Sequence, residues 1–295
     1  MMDKIVWVSF GPDVSEDALD YAIYISKVFS SKLYSLYIKP TTYHEEKEYC
    51  LSEDEKKKNT EWNDYTYKQN LKKIEEMQNR IKKENIDSSF TVKEGVPCLE
   101  ILDFANKKSA DLIVIYKGKK FHDTCIVQKT TLYIIKHSSI PVLSINGSES
   151  VKDINTILVP TDKYNVGSKA FRLANNFSKK LKSRIIQLNI LKKNDPKIPV
   201  EAAERMHGDT YFKLCETETQ NKKTESVVID SENIGDGIID YIYSNDIDLV
   251  ILQTYYGEKQ EIFRSNGSVA EKIIHKVERP VITVNSKEEV GISEE

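Results

Sequence analysis

Glycine is scarce, with 11 in 295 residues, so a glycine near a strand end marks a place where backbone bends sharply or is closely approached. Cysteine is scarcer still. Cys50, Cys98, Cys125 and Cys215 lie far apart with no CxxC pair, which argues against a zinc knuckle and a dithiol redox site. No apolar run reaches the roughly 18 residues that a membrane helix needs. The chain runs from Met1 almost directly into the strand-like Ile5-Val6-Trp7-Val8, without the charged region and long apolar stretch of a secretory signal, so a cytoplasmic location is expected. An excess of either charge is missing too. Forty-three basic against 46 acidic residues leave a formal charge of −3, which supplies no general positive field for a nucleic-acid backbone. His44, His122, His137, His207 and His275 show no HExxH or paired metal spacing. What remains, at 39% hydrophobic and 30% charged residues, is the composition of a globular protein.

The length suits two domains of roughly 150 residues, and the sequence repeats itself accordingly. Ile5-Val6-Trp7-Val8 and Ile157-Leu158-Val159-Pro160 each open a half with a buried-strand pattern. An amphipathic helix follows each. In the first half it starts near Ser15, a plausible cap, and carries Ala18, Leu19, Ala22 and Ile25 on one face; in the second the face is Ala170, Phe171, Ala174 and Phe177. Second strands are expected over 33–38 and 184–191. Ala110-Asp-Leu-Ile-Val-Ile and Ile247-Asp-Leu-Val-Ile-Leu form matching fourth strands, and the closing strands of both halves begin at Pro141 and Pro280, which are 139 residues apart. Gly118 and Gly257 share that interval.

Strands alternating with helices, the strands nearly continuous in apolar residues, imply parallel sheets covered on both faces. The expected fold class is therefore α/β, with two tandem doubly wound, Rossmann-like domains over 1–147 and 152–287 and an acidic tail over 288–295. Charged insertions fall over 45–85 and 192–223. The first reads as a long helix whose Trp62, Tyr65, Leu71, Ile74, Met77 and Ile81 form one stripe, expected to pack on its own domain rather than on a partner.

In an open parallel sheet, ligands bind beyond the carboxyl ends of the strands, where strand order switches. After the fourth strand of the second repeat the sequence reads Thr254-Tyr255-Tyr256-Gly257, then nine residues, then Gly267-Ser268 opening a helix at Val269. Glycines that admit close backbone approach, free amides at a helix start and a serine hydroxyl together suit phosphate. Pro160-Thr161-Asp162 is expected to form a loop at the same end. Asp162 there serves either as a ligand to a nucleoside or as a helix cap.

On these residues the chain resembles the universal stress proteins in their tandem two-domain form. The resemblance rests on VPTD at 159–162, DLVIL at 248–252, Gly257 with Gly267-Ser268, and the PVITV ending, and it covers both repeats outside their insertions. It implies the adenine nucleotide α-hydrolase-like fold, a pseudo-two-fold between repeats with the last strands facing, and an adenine nucleotide, ATP with or without Mg2+, in the second repeat. The implied contacts are Asp162 and Ile190 for the base and Gly257, Gly267 and Ser268 for phosphate, with Thr254 standing where the family's motif begins with glycine. The first repeat has Gln128 and Lys129 where the second has Gly267 and Ser268, so one site per chain is expected. His122, Asp123 and Cys125 lie on that degenerate loop and are read as no catalytic trio. No Walker lysine motif accompanies Gly257, so rapid hydrolysis is not expected. A nucleotide-free protein-interaction scaffold and a slow ATPase are the two rival readings.

Overall fold

The computed structural model describes residues 2–10, 15–40, 53–117, 125–146, 151, 153–161, 168–192, 224–255 and 269–286. The chain divides into two compact units, Met1–Val151 and Lys152–Glu295. The first contains β1 (Lys4–Phe10), α1 (Glu16–Phe29), β2 (Lys32–Pro40), α2 (Glu53–Lys83), β3 (Ser88–Gly95), α3 (Pro97–Lys108), β4 (Leu112–Tyr116), α4 (Cys125–His137) and β5 (Val142–Ile145). Its strands pair in parallel in the order β3-β2-β1-β4-β5. The second contains β6 (Thr156–Thr161), α5 (Lys169–Leu181), β7 (Arg184–Lys192), β8 (Thr224–Ser231), α6 (Ile234–Ser244), β9 (Leu249–Tyr255), α7 (Val269–Lys276) and β10 (Val281–Ser286). Its order is β8-β7-β6-β9-β10, again parallel. Each unit thus runs outward from its first strand, then returns to that strand's other side. The order switches between β1 and β4, and between β6 and β9.

The expected start of α1 is confirmed, and α5 has a serine cap that its sequence pattern does not single out. Ser15 caps α1, its Oγ accepting from the Ala18 N–H at 3.3 Å, and Ser168 caps α5 by accepting from Phe171 at 3.2 Å. Ala18, Leu19, Ala22 and Ile25 are buried, as are Ala170, Phe171, Ala174 and Phe177. None of the described helices is long and apolar enough to cross a membrane.

A carboxylate does the same work in both units. Asp111, at the head of β4, accepts from the backbone N–H groups of Asp3 and Lys4 at 2.7 and 2.9 Å. Asp248, at the head of β9, accepts from Asn155 and Thr156, both at 2.9 Å. The aspartate shared by the two DL-rich strand motifs therefore ties the amino end of the fourth strand to that of the first.

The first insertion is largely α2, a regular part of the α/β alternation. Ile74, Met77 and Ile81 of the expected stripe are buried and Leu71 is half-buried, while Arg80 pairs with Asp20 and Glu84 with Lys27 of α1. This part of the helix packs on its own unit. Of the second insertion, expected over 192–223, Lys192 instead ends β7; residues 193–223, the Trp62 and Tyr65 side chains and the tail over 288–295 lie outside the described residues.

Candidate functional site

Several strands run further than their sequence patterns suggest, and this moves Thr161, Thr254 and Tyr255 out of the expected loops. Pro160 and Thr161 belong to β6, where they pair with Leu188 and Asn189. Thr254 belongs to β9: it pairs with Asn285 of β10, and its hydroxyl donates to the Val284 carbonyl at 3.4 Å. Polar residues at a strand end read as loop by composition, but here each pairs with a neighbouring strand. Ile113 pairs with Val142, and Val250 with Val281, so β4 and β9 start in step. β9 has 7 residues to β4's 5. Those two extra residues explain why Asp111 and Asp248 are 137 apart while the glycines are 139 apart. Gly118 and Gly257 each stand two residues past their strand's last residue.

The carboxyl edge of the second unit's sheet is built from the ends of β6, β7, β8 and β9. Thr161 ends β6, and its hydroxyl donates to Asn189 Oδ1 on β7 at 3.2 Å. Asn189, buried at 5% exposure, does not stand out in the sequence, since an isolated asparagine in a strand carries no pattern signal. Ile190 follows it and is partly exposed. Gln253 on β9 accepts from the backbone N–H of Ala170 at 3.2 Å, joining the start of α5 to the strand end. Val269 begins α7. Asp162, Gly257, Gly267 and Ser268 lie outside the described residues; in sequence they adjoin these elements, Asp162 following Thr161 and Ser268 preceding Val269.

α6 and α7 are joined beside this edge. Lys272 of α7 donates to Asp236 Oδ2 at 2.6 Å and to Asn233 Oδ1 at 3.3 Å, and Asn233 in turn caps α6 by accepting from the Asp236 N–H at 3.2 Å. The hydrogen bond from Lys272 holds the Asp236 carboxyl below the usual carboxylate range. A lowered value means the pair persists through neutral pH and is lost only as pH falls through that value.

The first unit treats the equivalent edge differently. Lys4 and Thr156 are the residues equivalently held by the aspartates, so the pair Ser9 and Tyr37 on β1 and β2 matches Thr161 and Asn189 on β6 and β7; one residue on, Phe10 takes the place in sequence of Asp162, and Ile38 that of Ile190. Val8, Ser9, Phe10, Tyr37 and Ile38 are all at most 5% exposed. Tyr37 is further covered by α2: its ring stacks on Tyr67 at 5.9 Å and its hydroxyl accepts from Asn70 at 3.3 Å. Burial pushes the Tyr37 phenol above its ordinary value. The side chains of Gln128, Lys129 and Cys125, and residues His122 and Asp123, lie outside the described residues.

An open groove of 780 Å³ occupies the opposite, amino-terminal edge of the second unit, lined by Arg184, Glu225, Asp246 and Asp248 among others. Two of its polar groups already serve the fold. Asp248 holds two backbone amides and Arg184 Nε donates to Thr156 Oγ1 at 3.0 Å. The groove is at the wrong end of the strands for a site at the switch point.

Comparison with known proteins agrees with this architecture. The profile of the Universal stress protein family matches residues 1–146 and again 153–285. A universal stress protein of Methanocaldococcus jannaschii, MJ0531, is 32% identical over 148 residues, spanning 48% of this chain and 81% of the relative. Among solved structures, a universal stress protein from Archaeoglobus fulgidus DSM 4304 superposes with a TM-score of 0.71 at 14% identity, covering 96% of this chain and 98% of its own. A putative universal stress protein from Pseudomonas aeruginosa UCBPP-PA14 gives 0.57 at 14% identity, covering 96% and 93%. At such identities the structural likeness speaks to fold alone. With both halves of the chain matched in turn by one family profile, and with the same five-stranded order in each unit, the chain belongs to the universal stress protein family as a tandem member.

Proposed function

We propose that the second unit binds an adenine nucleotide, ATP with Mg2+ as its counter-ion, at the carboxyl edge of its sheet, and that the chain acts in stress response or signalling through that binding. The observation that carries this is an asymmetry of exposure at equivalent positions. Ile38 is fully buried while Ile190 is partly exposed; Val8 and Ser9 are buried while Pro160 and Thr161 are partly exposed. One edge is filled by its own side chains. The other presents an apolar residue and a hydroxyl, and the sequence joining β9 to α7 carries Gly257, Gly267 and Ser268.

The chemistry fits a nucleotide in two halves. Ile190 offers an apolar surface to a flat base, with Asp162 next to Thr161 as acceptor for its amino group or for the ribose. Gly257 and Gly267 allow backbone amides close to phosphate, Ser268 adds a hydroxyl, and the amino end of a helix such as α7 favours negative charge. Among the described residues no group of three or more metal-ligating side chains gathers, so Mg2+ is proposed as carried by the phosphates.

Two results are expected. Titration calorimetry with ATP gives one nucleotide per chain; two per chain would mean that the first unit opens despite Phe10 and Tyr37. Thr161→Val, which removes the donor to Asn189 without changing size much, weakens binding about fivefold, the worth of roughly one hydrogen bond, while Thr161→Ser retains it. Equal affinities for the valine and serine variants would remove this hydrogen bond from the site's support.

A further inference from the structure

α6 meets the ends of β7 and β8 through its first turn, and Gly237 is the point of contact. Its N–H donates to the Asn233 carbonyl at 2.9 Å, closing the helix's first turn. A Cβ built there would lie 2.7 Å from Ser231 Cβ, 2.9 Å from Ser231 Oγ and 3.1 Å from Ile190 Cδ1. The two distances to Ser231 are shorter than packed side chains allow, and the third requires the Ile190 tip to give by a few tenths of an ångström. Glycine is required here for space rather than for backbone conformation.

The first unit solves the same contact the other way round. Glu100, whose N–H donates to Val96 at 3.0 Å, occupies the equivalent helical position. There the glycine is on the strand: Gly95 ends β3, and a Cβ on it would stand 2.8 Å from Glu100 Cγ. Each unit thus has one glycine at this crossing, on the strand in the first and on the helix in the second. Glu100 is engaged by Lys93 at 2.6 Å, within a charged cluster that includes Asp103. The second unit has no side chain at that point, and Ile190 reaches into the space.

We propose that Gly237 is a positioning residue of the nucleotide site, seating Ile190 at the carboxyl edge by leaving α6 bare where the isoleucine tip lies. This rests on the reading that the second unit binds an adenine nucleotide there. Of the two neighbours that a side chain at 237 would press, Ser231 is the less able to move. Its hydroxyl donates to the Asn233 carbonyl at 2.9 Å and accepts from the Asn233 N–H at 3.3 Å, and Asn233 is the cap of α6. The Ile190 terminal methyl, at the end of a flexible side chain, gives way first. A flat base resting on that side chain then loses its fit.

The test is titration calorimetry on the full chain with ATP and with AMP, alongside thermal unfolding. Gly237→Ala is expected to weaken binding about tenfold at unchanged stoichiometry. Adding Ile190→Val, which deletes Cδ1, is expected to restore affinity to within about threefold of Ile190→Val alone, whereas adding Ser231→Gly does not restore it. Affinity of Gly237→Ala within twofold of wild type overturns the proposal, as does rescue by Ser231→Gly and not by Ile190→Val. If Gly237→Ala does not fold, Ile190→Val with Gly237→Ala is compared with Ile190→Val alone, and a loss of more than tenfold there overturns it. A wild-type chain that binds neither nucleotide overturns the underlying reading and this inference together; a wild-type chain that binds while Gly237→Ala binds equally well overturns this inference alone.

Discussion

Gly267→Gln is expected to abolish nucleotide binding. The substitution copies what the first repeat carries at the same interval from its glycine, Gln128 being ten residues after Gly118 as Gly267 is ten after Gly257. A phosphate cradle works because backbone amides approach anionic oxygens directly, and a side chain on the cradling residue occupies the volume that the ligand needs. Repositioning the backbone to clear the side chain would withdraw the donors. No partial compensation is available, so calorimetry should register no binding heat at concentrations that saturate the wild type. Ser268→Ala removes one hydroxyl and leaves the cradle, and should cost roughly 1 to 2 kcal/mol, about a tenfold loss of affinity. Unchanged affinity in the glutamine variant would remove the 257–268 loop from the site.

The sequence made the repeat and the parallel architecture legible because buried parallel strands leave a strong record: runs such as Ile5-Val6-Trp7-Val8 and Leu249-Val250-Ile251-Leu252 admit few other roles. It made the start of α1 legible, where Ser15 does the capping, but not that of α5, where Ser168 does so without standing out in the pattern. Composition makes a strand look shorter than it is where polar residues continue it. Thr161 and Thr254 look like loop by composition, yet both are paired in the sheet, because a hydroxyl can be satisfied across strands without disturbing the ladder. Contacts between distant residues left less trace. Nothing in the pattern links Asn189 to Thr161, or Gly237 to Ile190, since each depends on which strand lies beside which. The role of Asp111 and Asp248 was in plain view as a repeated letter, but that the carboxylate holds amides 107 and 92 residues away could be read only from the register of the first and fourth strands.

Ile74→Asp is expected to unfold the first unit's α2 from its sheet and to lower the thermal midpoint on the order of 10 °C. The long helix after β2 carries a stripe that admits two uses, as core of its own unit or as a surface for a partner protein. Ile74 and Ile81 are fully buried and Met77 is 5% exposed, and Asn70 on the same stripe donates to the Tyr37 hydroxyl. A carboxylate at position 74 would lose the isoleucine's packing and would place an ionisable group where nothing compensates it, a combination that costs more than about 4 kcal/mol. In a unit of this size each kcal/mol moves the midpoint by roughly 2 to 4 °C. Lys73→Asp is the matched control. Lys73 is the adjacent residue and is exposed, so its substitution should change stability by no more than about 0.5 kcal/mol. Differential scanning calorimetry of the two variants separates the two uses of the stripe. A large fall for Ile74→Asp with none for Lys73→Asp makes it core; an unchanged midpoint in both would mean that the stripe contributes nothing to its own unit and is kept for a partner.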